Sequence, residues 1–196
     1  MIKKTLFRLA TGLTVFTLVI AGFSQSVSAA QITARSVTIG SSVASAVTSY
    51  SFGFTVPSAT VIQSASFTAC TTASGACTTP SGFSVTGTTL TAQPTNLGDA
   101  SGWTVNTSTA GSLRLSKSGN VAAPTGAQTV SFSGVTNPSA TNATFFIRIT
   151  TYSDASWTTS IDTGTVASST AGQITVTASV DETLTFTLAS ATVALG

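Results

Sequence analysis

The chain has 196 residues and is poor in charge: seven Lys and Arg, five Asp and Glu, no histidine, and 6% charged residues in all. Ordinary proteins carry about a quarter. Proton transfer, metal capture and phosphate binding need ionisable groups, so the scarcity argues against a Ser–His triad, a zinc centre or a nucleic-acid surface.

Residues 1–30 carry the three-part pattern of a secretory signal peptide. Lys3, Lys4 and Arg8 form a positive start, Leu9 to Phe23 form an apolar stretch, and small residues follow. Val27 with Ala29, or Ser28 with Ala30, suits a cleavage site. A membrane-spanning helix needs about 20 apolar residues. This run is shorter and is interrupted by Gly12, Thr14 and Thr17, so cleavage is expected over a retained anchor. Lys3, Lys4 and Arg8 would leave with the signal. Four of the seven cations then face five acids, and the net charge of +2 becomes −1. The positive charge of the whole chain is therefore no sign of nucleic-acid binding. Nothing basic and amphipathic remains to lie on a membrane.

Without the signal about 166 of the 196 residues remain, enough for one domain. Residues 31–180 are assigned to it. Tyr50, Phe52, Phe54 and Val56 alternate with Ser51, Gly53 and Thr55, and Pro57 stops the run. Val61 to Ala69 and Phe83 to Leu90 read as strand signals flanking a cysteine segment. Leu113 and Leu115 bracket Arg114, and Val130 and Phe132 alternate with serines up to Asn137-Pro138. Phe145, Phe146, Ile147 and Ile149 put apolar groups on both faces, as in a central strand. No stretch has helical periodicity. Roughly eight to ten short strands between Gly, Pro, Asn and Ser turns imply an all-β antiparallel sandwich. An immunoglobulin-like sandwich is the first choice of topology and a jelly roll the second.

Cys70 and Cys77 are the only cysteines. In an exported chain so close a pair is expected to form a disulfide, with free or redox-active thiols as the alternative. Closing so short a loop stabilises by about 2.5 kcal/mol in the chain-entropy account.

Towards the carboxyl end, Ile174, Val176, Ala178 and Val180 share parity with Leu184, Phe186 and Leu188, with Asp181 and Glu182 between them. Typical strands have about five or six residues, so a break at the acidic pair is expected. Residues 181–196 read as the last strand of the sandwich, as an assembly or linker segment, or as the opening of a further domain. Sheet edges are normally protected by charge, and this chain has little. Leu184, Phe186 and Leu188 are therefore the candidate strand for addition to a second molecule.

Candidate chemistry is sparse. Lys117 is the one lysine after the signal, which limits a Ser–Lys hydrolase or a Lys–Asn crosslink to that residue. Asp154 and Asp162 flank Trp157 and could approach a calcium ion, although turn structure explains them equally well. Trp103, Tyr152 and Trp157 are candidates for stacking on a sugar, with Asp154 accepting hydrogen bonds from its hydroxyls. Packing in the core is the competing role for the rings. No catalytic residue, metal or cofactor is expected. The expected partners are another copy of the chain, another surface protein, or glycans, with no nucleic acid and no membrane after cleavage.

The stretches TSYSFGFTVPSATVIQSASFTACTTASGACTTPSGFSV and GQITVTASVDETLTFTL resemble uncharacterised secreted Ser/Thr-rich β-domain proteins of small-genome candidate-phylum bacteria. The resemblance implies an extracellular, immunoglobulin-like module that often precedes further β domains, and it transfers no catalytic residue. The expectation is a secreted, non-enzymatic structural or adhesive protein at the cell surface. A carbohydrate-binding module is the alternative.

Overall fold

The computed structural model describes residues 29–172. Nearly all of the expected signal peptide, and the segment holding Leu184, Phe186 and Leu188, lie outside them. The described chain forms ten strands and is an all-β sandwich of two sheets. They are β1 (Ala30–Gln31), β2 (Thr33–Ile39), β3 (Val47–Thr55), β4 (Ser64–Cys70), β5 (Thr89–Leu90), β6 (Thr104–Asn106), β7 (Ser112–Ser116), β8 (Gln128–Thr136), β9 (Thr144–Tyr152) and β10 (Ser160–Ser169). One sheet has the order β1-β10-β9-β4-β7-β6, the other β2-β3-β8-β5. All pairings between strands are antiparallel except β1 with β10.

The alternation in the sequence becomes the two faces of each sheet, because successive side chains of a strand point to opposite sides. Tyr50, Phe52 and Phe54 of β3 are buried, as are Val130 and Phe132 of β8, Leu113 and Leu115 of β7, and Phe145, Ile147 and Ile149 of β9. These inner faces meet in one core, where Phe67 of β4 stacks on Phe52 with ring centroids 4.4 Å apart.

The outer positions carry hydroxyls, and these pair across strands. Ser51 meets Ser131 at 2.8 Å, Thr89 meets Ser133 at 3.0 Å and Thr68 meets Ser112 at 2.9 Å. Cross-strand hydroxyl pairs add modestly to sheet stability and carry no charge. Interior loops are tied by buried amides in the same uncharged manner. Gln128 accepts from the Val56 amide at 2.9 Å and donates to Gly126 at 2.8 Å, and Asn120 donates to the Ile62 carbonyl at 2.6 Å.

Two bulges bend the second sheet. In β8 the register with β3 shifts between Thr48–Val135 and Tyr50–Phe132, and Gly134 in the extra residues has φ +80°. A Cβ there would lie 3.0 Å from the Gly87 carbonyl oxygen, so glycine is required both for the conformation and for the approach. In β2 the register shifts between Thr33–Thr55 and Ser36–Gly53, and Ala34 takes φ +45°.

Phe83 to Leu90 departs from its reading as a strand. Only Thr89 and Leu90 form β5, with an isolated bridge at Ser84. Phe83 and Val85 are still buried, so the apolar spacing is real. Gly82 and Gly87, both at φ +79°, turn the chain where a ladder would have to run.

Candidate functional site

Cys70 and Cys77 form the expected disulfide, with Cα atoms 5.0 Å apart. The loop it closes is held against the outer face of the first sheet by Arg148. That guanidinium donates to the carbonyls of Gly75 at 2.7 Å and Thr72 at 3.0 Å. Arg148 stands between Ile147 and Ile149 on β9, so strand parity sends its side chain outward while its neighbours enter the core.

The four residues expected to meet a ligand separate into two groups. Trp103 is 3% exposed, belongs to the core, and donates its indole N–H to the Asp99 carbonyl at 2.9 Å. Its backbone is also clamped by Gln93, which accepts from the Trp103 amide at 2.8 Å. Its place in the core is the competing role named for it above, and it stands apart from the other three.

Tyr152, Asp154 and Trp157 come together at the end of β9 and in the turn that follows. The Tyr152 hydroxyl lies 3.1 Å from the Ser66 hydroxyl on β4. The Trp157 indole donates to the Ala65 carbonyl at 3.3 Å, which brings the ring over the same strand. Arg114, from the outer face of β7, stacks on that ring with its guanidinium carbon 5.3 Å from the centroid. A cation over a tryptophan face contributes about 0.5–2 kcal/mol. β4 is consequently covered on its outer face too, and Ser64 and Ser66 are buried although their side chains point away from the core.

Asp154 builds the turn. Its carboxylate accepts from the backbone amides of Thr159 at 2.6 Å, Ser156 at 2.8 Å and Thr158 at 3.2 Å. Trp157, inside this turn, takes φ +58°, a left-handed conformation unfavourable for a bulky side chain. Partial desolvation pushes the Asp154 pKa up, but the bonds from Thr159, Thr158 and Ser156 outweigh it and hold the carboxyl well below its ordinary value.

A depressed pKa fixes the sign of the pH effect. The stabilisation is present above the unfolded value of about 3.9 and is lost only as pH falls through the lower folded value. Trp157 emission is therefore expected to stay constant from pH 7 to about 4. In Asp154→Ala it should shift to the red at neutral pH, with buried Trp103 as the fixed reference. An unshifted spectrum in that variant would show that the carboxylate does not hold the turn.

The other described carboxylates also have defined partners. Asp99 pairs with Lys117 at 3.3 Å, and Asp162 accepts from the Ser58 hydroxyl at 2.7 Å. Asp154 and Asp162 thus serve different loops, and among the described residues no cluster of His, Cys, Asp or Glu could hold a metal ion. No helix among them is long and apolar enough to cross a membrane. Sequence reading missed Arg114 and Ser66 as parts of the aromatic site. The available signal was parity: Arg114 lies between two inward leucines, so it had to project outward from β7.

The chain matches no protein-family model, and no curated protein matches it in sequence.

Proposed function

We propose that this is an exported, non-enzymatic structural or adhesive module of the cell surface, built on an immunoglobulin-like sandwich. The observation that carries the reading is the use of the carboxylates. Asp99, Asp154 and Asp162 each close a loop through an ion pair or hydrogen bonds from amides and hydroxyls, so the few charges present work as fastenings. Strand order supports the topology. β2, β3, β4, β8, β9 and β10 have the sequence order and neighbours of strands A, B, C, E, F and G of that fold. The parallel bridge of Val43 with Ala171 adds an A–G contact. The excursion between β4 and β8 differs, since β5 joins β8 before β6 and β7 add to β4.

Among the described residues, β2 offers an edge for assembly by strand addition, its seven residues Thr33–Ile39 being paired there only with β3. The test is fractionation of cells together with size-exclusion chromatography of the exported chain. The protein is expected outside the cytosol and self-associated, and removal of residues 181–196 is expected to leave a folded monomer. Recovery from the cytosol, or a wild-type chain that never associates, would overturn the respective half of this reading.

The glycan-binding alternative rests on the grouping of Tyr152, Trp157 and Arg114 on one face. It requires saturable binding on a glycan array that Trp157→Ala abolishes without loss of fold.

A further inference from the structure

We propose that the groove bounded by β1, β10, β9 and the disulfide loop binds an acidic saccharide, one bearing a carboxylate or sulfate ester, with Arg35 as its principal anchor. The groove encloses about 520 Å³, within the usual range of roughly 300–1,000 Å³ for small-ligand sites. Among the described residues its lining includes two guanidinium groups, Arg35 and Arg148, and no carboxylate. In a chain with so few charges that pairing of like with like needs a reason.

Three independent features converge on Arg35. The bulge at Ala34, with a non-glycine residue at φ +45°, resets the alternation of β2 so that Arg35 shares parity with the half-buried Val37 and Ile39. Bulges commonly re-aim a side chain next to a functional site. Across the seam, β10 has Gly164, where an added Cβ would lie 2.6 Å from Arg35 Cδ and 3.2 Å from its Nη1. A glycine inside a strand marks such a close approach, and here it leaves room for the arginine to cross from one sheet to the other. Finally, the nearest acid along β10, Asp162, is bound to Ser58. The single ion pair among the described residues is that of Lys117 with Asp99. Arg148 gives its terminal nitrogens to loop carbonyls, so it contributes field, while the Arg35 guanidinium has no hydrogen bond or ion pair to any of the described residues. A guanidinium fork matches a carboxylate or sulfate.

The rest of the lining favours a sugar over an acidic peptide. Gln31, Thr150, Thr163 and Thr165 supply neutral donors and acceptors of the kind that sugar hydroxyls pair with. A peptide would add to the edge of β1, which has two residues and offers little ladder. Under the export reading, cleavage after Ala29 or Ala30 would also place the new α-ammonium at this end of the groove.

This inference goes beyond the scaffold reading, because a protein that is exported and assembles with an empty groove refutes the saccharide site alone. The experiment titrates the exported chain with a sulfated disaccharide and with its unsulfated parent, at low and high salt, by calorimetry. The sulfated sugar is expected to bind about tenfold or more tightly than its parent and to weaken with salt. Arg35→Met keeps the apolar stem that covers the seam and removes the charge. It is expected to lose that preference with an unchanged thermal melt. In the wild-type protein the amide signals of Gln31, Thr163 and Gly164 should shift on titration, a readout independent of any variant's folding. Equal binding of the two sugars, shifts confined to other residues, an Arg35→Met protein that binds normally, or tighter capture of an oligo-aspartate peptide would overturn the proposal.

Discussion

Phe67→Ala should destabilise the sandwich by about 3–5 kcal/mol, the range for removing a large aromatic from a packed core. Phe67 is fully buried at the centre of β4 and touches rings from both strands of the facing sheet's middle. Its centroid lies 4.4 Å from Phe52, 5.6 Å from Phe132 and 5.9 Å from Phe54. Phe52 is the stacked partner, and the other two meet Phe67 edge to face, arrangements worth about 0.5–1.5 kcal/mol beyond buried area. Alanine would leave a void between two sheets whose strands are fixed by their ladders and cannot close on it. Whole domains are stable by only about 5–15 kcal/mol, so the loss is a large share of the total. Urea unfolding should show a lower midpoint at an unchanged slope. Val121→Ala, at a side chain 80% exposed, should move the midpoint hardly at all. A Phe67→Ala midpoint equal to that of the control would show that the sheets are held together elsewhere.

That cluster was legible because its members follow a period of two. Tyr50, Phe52, Phe54 and Val56 stand at alternate positions, and all four are buried. The same rule gave the inward leucines around Arg114, whereas Phe145, Phe146, Ile147 and Ile149 read as apolar on both faces, and of these Phe145, Ile147 and Ile149 are the ones that enter the core. Local pattern failed where a long-range partner decides. The short Phe83–Leu90 strand was lost to two glycines whose left-handed φ values the apolar spacing does not encode. Trp103 reads like Trp157 in sequence, since each stands among small residues and is followed by Thr. The difference is that the Trp103 indole finds the Asp99 carbonyl inside the fold, while Trp157 is laid on the outer face by the amide bonds of Asp154. The meeting of Arg35 with Gly164 joins the first and last parts of the domain and leaves no local trace in either.

Asn137→Ala is the second substitution with a large expected cost, about 3 kcal/mol from several buried polar groups losing partners at about 1–3 kcal/mol each before relaxation. Asn137 follows β8, is fully buried, and has every side-chain contact inside the protein. Its Oδ1 accepts from the Tyr50 hydroxyl at 2.7 Å, and its Nδ2 donates to the carbonyls of Ser41 at 2.7 Å and Val43 at 2.8 Å. Burial raises the Tyr50 pKa well above its ordinary value, so the phenol stays a neutral donor. The side chain thereby joins β3, the end of β8 and the loop after β2, and Ser42 in that loop accepts from the Ala171 amide at 2.8 Å just beyond β10. A residue before proline would otherwise read as a simple strand stop. Tyr50→Phe removes one donor and leaves one acceptor unmet, so it should cost only about 1–1.5 kcal/mol. The double variant should cost less than the sum, because the Tyr50–Asn137 bond can be lost only once. Urea midpoints of the three proteins measure the coupling. Strict additivity would mean that Tyr50 and Asn137 act independently, and the pole of the sandwich would then owe its order to the ladders alone.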